Sequence, residues 1–271
     1  MNKKEKPIGI FDSGIGGLTV LKEIFRELPF ENTVYLGDTA RVPYGIRSPE
    51  TVTRYSFENA GFLISEDIKL LVIACNTASS VSLAAIRSSV PVPVVGVIRP
   101  GARAAVSCSK NKKIGVIGTE ATIKSYSYTR AIKEVDGDVE VFSLACPLFV
   151  PLVEEGWSEG RIAEMIAETY LNNIRDKCVD TLVLGCTHYP LLKNVITKVM
   201  SEKVTLIDSA VETAGEVKNV LNELSLRRTG PEDAIHKFYV TDSTERFVNV
   251  GEKFLGRKID FIKKIEMEME V

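Results

Sequence analysis

Leu70-Leu71-Val72-Ile73-Ala74-Cys75-Asn76-Thr77 and Leu182-Val183-Leu184-Gly185-Cys186-Thr187-His188 are two versions of one phrase. In each, a short apolar run ends at a cysteine and polar residues follow at once. Runs this short and this continuously apolar read as strands buried on both faces, as in parallel sheets covered by helices. Further runs predict strands at 8–11, 33–36, 94–97, 114–117, 139–144 and 205–207. Longer amphipathic stretches alternate with them. Leu18, Leu21, Phe25 and Leu28 form one helical stripe; Ile162, Met165, Ile166, Tyr170 and Ile174 form another. Ser209-Ala210-Val211-Glu212 has the form of a capping box before the stripe Ala214, Val217, Leu221, Leu224. The alternation predicts an α/β fold with mostly parallel sheets.

The strands repeat in order. Ile8-Gly9-Ile10 echoes Ile114-Gly115-Val116, the strand ending at Leu36 echoes the one ending at Leu144, and Cys75 and Cys186 stand 111 positions apart. The predicted architecture is therefore two pseudo-symmetric α/β domains from an internal duplication. The break between the halves is placed near Arg99-Pro100-Gly101. Residues 1–98 with 209–271 would form the first domain, rejoined by strands at 237–241 and 260–262, and residues 99–208 the second. Residues 265–271 read as an exposed or frayed end. Ligands of open parallel sheets bind beyond the carboxyl ends of the strands, so two facing domains would enclose a cleft there.

Composition narrows the function classes. A net charge of -2 over 271 residues gives no global field for nucleic acid or an anionic membrane. No apolar run approaches the roughly 18 residues of a membrane span, and no signal-type segment follows the basic start, which points to the cytoplasm. Five cysteines, none in a C-x-x-C pair, and only two histidines argue against a disulfide framework and against a zinc site. No metal is expected. Cys108, Cys146 and Cys178 lack the strand-end setting and read as structural.

A thiol titrates within reach of neutral pH, and backbone N–H groups at a helix start favour its thiolate. Both Cys75 and Cys186 are placed at strand-to-helix junctions. A base on one face of a carbon and an acid on the other would invert a stereocentre. Inert packing is the alternative for any single buried cysteine. Asp12-Ser13-Gly14-Ile15-Gly16-Gly17 opens a helix after the first strand and fits a tight turn or a small-anion site. A dinucleotide loop, with Asp38 as ribose-binding acid, is disfavoured because Thr19 stands where a third glycine belongs. Asp12 could assist Cys75 or simply cap a helix. His188, two residues past Cys186, could assist that thiol. Glu154 and Glu155 follow an apolar run, where a solvated loop carboxylate is the ordinary reading. Asn76, Thr77 and Thr187 offer neutral donors beside the thiols.

Phe11-Asp12-Ser13-Gly14-Ile15-Gly16-Gly17-Leu18, Gly37-Asp38-Thr39-Ala40-Arg41-Val42-Pro43-Tyr44-Gly45, Ala74-Cys75-Asn76-Thr77-Ala78, Gly185-Cys186-Thr187-His188-Tyr189-Pro190 and the segment from Cys146-Pro147-Leu148 to Glu154-Glu155-Gly156 together resemble the glutamate racemases. The resemblance runs from about Ile8 to Glu216, and every motif position is kept. It implies cofactor-independent interconversion of L- and D-glutamate for peptidoglycan, in a cleft between two pseudo-symmetric domains. By the same resemblance Cys75 and Cys186 are the acid/base pair, Cys75 acting on D-glutamate and Cys186 on L-glutamate. Asp12 would assist Cys75, and Glu154 and His188 would assist Cys186. Substrate contacts would come from Asp12, Ser13, Tyr44, Gly45, Asn76, Thr77, Thr119, Thr187 and His188. It further implies a homodimer, with glutamate as the small-molecule partner and no nucleic acid or membrane partner. With about seven residues before the first strand, activation by a cell-wall precursor is not expected. The competing readings are a related racemase of another small carboxylate, a cysteine hydrolase built on Cys186 and His188, and a two-lobed anion-binding protein.

Overall fold

The structure, a computed structural model, describes residues 2–230 and 233–267. Among the described residues, ten strands form two sheets: β1 (Ile8–Asp12), β2 (Thr33–Gly37), β3 (Leu70–Ile73), β4 (Val94–Gly96), β5 (Lys113–Gly118), β6 (Glu140–Ala145), β7 (Thr181–Gly185), β8 (Thr205–Asp208), β9 (His236–Val240) and β10 (Ile262–Lys264). The first sheet runs β10-β9-β2-β1-β3-β4 and the second β6-β5-β7-β8. Every pairing is parallel. The order β2-β1-β3-β4 recurs as β6-β5-β7-β8, so each landmark of the sequence repeat falls on an equivalent strand.

The repeat reaches individual contacts. A Cβ on Gly9, in β1, would stand 2.7 Å from the Ile68 side chain; one on Gly115, in β5, would stand 2.7 Å from that of Leu182. Both central strands leave out a side chain at the same place, so that a neighbouring aliphatic group can pack on the backbone. β1, β3 and β7 are buried along their whole length, which is why they read as uninterrupted apolar runs. After β8 the helix Ser209–Glu223 packs on both the helix Leu18–Glu27 and the helix Ile98–Cys108. β9 then extends the first sheet at β2.

The local structure adds detail to several sequence readings. Arg99-Pro100-Gly101, read as a break, lies in the first turn of the helix Ile98–Cys108, where proline is tolerated because its missing N–H had no intrahelical partner. The capping box does not form: Asp208, one residue earlier, is the cap, accepting from Ala210 N at 2.9 Å, while Ser209 Oγ donates to Leu184 O. Leu224, the last member of that stripe, is exposed. The helix Arg161–Arg175 buries Ala163, Ala167, Leu171 and Ile174, leaving Ile162 and Met165 exposed. Its contact face thus begins with two alanines and continues with Leu171 and Ile174. Ile265 does not fray, since its N–H donates to Val240 O at 2.8 Å and its side chain packs with Met267 against the first lobe's core. The rest of that segment, 268–271, lies outside the described residues. No described helix is long and apolar enough to cross a membrane.

Candidate active site

β3 and β7 are equivalent strands, and both deliver a cysteine to one cavity of about 370 Å³. Their surroundings differ. Cys75 caps the helix Asn76–Ser89, its Sγ accepting from Ala78 N at 3.5 Å and lying 3.6 Å from Ser13 Oγ. Burial pushes the Cys75 thiol up to about 12, the charge of Asp12 adding to the rise while the Ala78 N–H and Ser13 oppose it. Cys186, expected at a helix start, is followed instead by a turn and the short 3-10 helix Tyr189–Leu192. No α-helix start serves this thiol, and a histidine stands beside it.

His188 Nδ1 lies 3.8 Å from Cys186 Sγ, and Nε2 lies 2.9 Å from Glu154 Oε1. Burial favours the neutral imidazole, but hydrogen bonds to Cys186 and Glu154 outweigh it and lift His188 to about 10. The same bond from His188 holds the Glu154 carboxyl below its ordinary value. Glu154 ends the short helix Phe149–Glu154 and is half-buried at the cavity wall, so the reading as a solvated loop carboxylate fails for it; it holds for Glu155, which is exposed. Phe254 sets its ring against that of His188 at 5.5 Å, near perpendicular, and Arg246 stands 4.0 Å from Glu154 Oε2. Both belong to the helix Thr244–Leu255, so the C-terminal part of the chain supports the Cys186 side of the site.

Ser13, Asn76, Thr77, Thr119 and Thr187 all line the cavity. Thr77 Oγ1 meets Thr119 Oγ1 across the lobes at 2.9 Å. Tyr44 and Gly45 line it too, but the Tyr44 hydroxyl is engaged with Asp38 and Asn59. Tyr44 therefore offers the cavity its ring or main chain rather than its hydroxyl. Asp12 is fully buried and is not part of the lining. One of its oxygens accepts from Gly14 N at 2.9 Å, so it braces the turn rather than capping the helix, while Oδ1 has no hydrogen-bond partner among the described residues. Burial raises the Asp12 carboxyl, opposed by the charge of His188 and by the Gly14 and Gly17 N–H groups.

The glycine turn serves a purpose that spacing did not reveal. A Cβ on Gly16 would stand 2.3 Å from Thr187 Oγ1 and 2.5 Å from His188 Nδ1. Thr19, the residue that spoils the dinucleotide pattern, places its hydroxyl 2.9 Å from both Gly16 O and Thr187 O. This turn is where the first lobe rests on the Cys186 loop. Asp38 is unavailable as a ribose ligand, being buried and bound to Arg41, Tyr44 and Thr241. Sequence reasoning also missed Tyr128, buried between the lobes with its hydroxyl donating to Asn76 Oδ1 at 2.7 Å. Nothing in Ser125-Tyr126-Ser127-Tyr128 marks it, and its neighbour Tyr126 is exposed.

Two parallel α/β lobes each end an equivalent strand in a thiol at one shared cavity. The chain belongs to the Asp/Glu/Hydantoin racemase family, whose profile matches residues 8–217. A glutamate racemase of Geobacter metallireducens is 55% identical over 265 residues, 98% of each chain. The crystal structure of a glutamate racemase from Bacillus anthracis superposes with a TM-score of 0.94 at 42% identity, covering 97% of this chain and 98% of that one. A glutamate racemase from Francisella tularensis, solved with D-glutamate, gives 0.92 at 38% identity over 98% of this chain and 99% of its own.

Proposed function

We propose that this protein interconverts L- and D-glutamate without a cofactor, by moving the α-proton between Cys75 and Cys186. The observation that carries the reading is that both thiols line one cavity from equivalent strand ends in two lobes. With D-glutamate, the Cys75 thiolate takes the α-proton while the Cys186 thiol gives its own to the opposite face. With L-glutamate, the roles exchange. One proton leaves carbon and one arrives; the new Cys75 thiol then loses its proton to solvent and the Cys186 thiolate regains one, or the reverse, which restores the resting state for another turnover in the same direction.

The obstacle is the weak acidity of a carbon-bound proton beside a carboxylate. With no electron sink, the developing enolate-like charge must be met by donors already in place. Ser13, Thr77, Thr119 and Thr187 are neutral donors on both sides of the cavity. A thiol held as high as that of Cys75 needs help to ionise, and the ammonium group of an arriving amino acid supplies a cation nearby. Asp12 acts from behind the lining, bracing the turn that carries Ser13 and bearing with its charge on the Cys75 thiol, and His188 with Glu154 can hold or release the proton on the Cys186 side. The working division is 1–98 with 209–271 as one domain and 99–208 as the other. We place the enzyme in the cytoplasm as a homodimer supplying D-glutamate for peptidoglycan.

A hydrolase reading has the line Cys186–His188–Glu154 in its favour but leaves Cys75 without a task. A panel of single L-amino acids, followed by optical rotation, separates the readings. L-glutamate is expected to fall to zero rotation with no gain from added pyridoxal phosphate, and the other amino acids to keep theirs. Loss of rotation with aspartate and not glutamate would reassign the substrate.

A further inference from the structure

Asn76 is the residue after Cys75 and lines the cavity. Its carboxamide can present either an oxygen acceptor or an NH₂ donor, and the difference matters for an anionic substrate. Asn76 Oδ1 accepts from Tyr128 Oη at 2.7 Å, while Asn76 Nδ2 is buried with no partner among the described residues. Tyr128 comes from the other lobe, on the helix Ser127–Val135. Its ring lies against the residue preceding the second thiol, since a Cβ on Gly185 would come within 3.0 Å of it. Ser209, the other hydrogen-bonding side chain at the phenol, turns its hydroxyl proton to Leu184 O at 3.2 Å. The phenol proton is thus left for Asn76. One side chain touches the residue after Cys75 through its hydroxyl and the residue before Cys186 through its ring.

We infer that Tyr128 is a positioning residue that fixes the Asn76 carboxamide with its NH₂ group free for a substrate carboxylate, and that it does so from the lobe carrying the second thiol. The inference rests on the reading above, because it needs a carboxylate in the cavity. A free carboxamide could turn its oxygen toward that carboxylate, which repels it. Tyr128 removes that orientation and so lowers the reorganisation needed on binding. A carboxylate is present in both the ground state and the transition state, so the contribution falls mainly on KM.

Steady-state kinetics of glutamate racemisation on Tyr128→Phe, Asn76→Ala and the double variant test this. Tyr128→Phe keeps the ring packing and loses only the hydroxyl. It is expected to raise KM about tenfold, the scale of one hydrogen bond supporting a charged ligand, with a much smaller fall in kcat. In the Asn76→Ala background the same substitution is expected to change KM by less than about twofold, because its target is gone. A merely structural Tyr128 would give the same penalty in both backgrounds, and that additivity overturns the inference. So does an unchanged KM in Tyr128→Phe when the unsubstituted protein is active. An unsubstituted protein that turns over no glutamate overturns the inference together with the reading beneath it.

Discussion

Replacing Cys75 by alanine, or Cys186 by alanine, is expected to lower kcat for glutamate racemisation by at least about a thousandfold in both directions, within the range a positioned acid or base contributes. Each thiol is the base in one direction and the acid in the other, so neither substitution can spare a direction. The two losses should differ in kind. On the Cys75 side the residues beside the thiol, Ser13, Asn76 and Thr77, are neutral donors, and Asp12, whose charge bears on that thiol, is sealed away from the cavity. On the Cys186 side, His188 and Glu154 remain after the thiol is gone. Any residual exchange of the α-proton should therefore survive better in Cys186→Ala than in Cys75→Ala. Polarimetry on both isomers measures the first effect, and loss of an α-tritium label measures the second. A Cys75→Ala protein that keeps its full rate would remove that thiol from the chemistry.

Gly16→Ala is expected to cost about a hundredfold in kcat, although Gly16 transfers no proton. Its backbone is in ordinary helical or extended territory, with no positive φ, so the glycine is needed for space alone. The added methyl would meet Thr187 Oγ1 at 2.3 Å and the His188 ring at 2.5 Å. The ring has nowhere to go: Cys186, Glu154 and Phe254 hold it on its other sides. The turn and the Cys186 loop must separate by about an ångström to reach normal contact, and a displacement of that size at a reacting group costs on the order of 10² in rate. Because Gly16 lies in the first lobe and His188 in the second, the shift also changes how far apart the two thiols sit. Near-native activity in a folded Gly16→Ala protein, checked by circular dichroism and kinetics, would show that the lobes adjust freely.

Much of the fold was legible because its central strands are buried on both faces and therefore announce themselves as unbroken apolar runs. The duplication was legible for the same reason: the equivalent inner strands β1 and β5, and β3 and β7, are buried nearly throughout, down to Gly9 and Gly115. Helices were harder. The helix Arg161–Arg175 turns alanines inward and Ile162 and Met165 outward, so a stripe chosen for size pointed partly at solvent; apolar atoms on a surface are common. At the site, Cys75 and Cys186 were legible from their setting, while Glu154 drew support from the resemblance rather than from its own pattern. What stayed hidden depends on contacts between lobes. Gly16 against His188, Thr19 against Thr187 and Tyr128 against Asn76 join positions between 52 and 172 residues apart, and no local pattern encodes them. Tyr44 shows the converse: its motif position is kept, yet its hydroxyl turns to Asp38.

The most direct measurement is early-time racemisation in heavy water, starting from one pure isomer of glutamate and following Cα by NMR and mass spectrometry. Two thiols, one removing the proton and the other delivering solvent deuterium, predict that the product isomer carries one deuterium at Cα from the first turnovers while the recovered starting isomer carries none. Product that retains its original proton, or deuterium appearing at equal rates in both isomers, would mean that a single group serves both sides of the carbon, and the paired roles of Cys75 and Cys186 would be wrong.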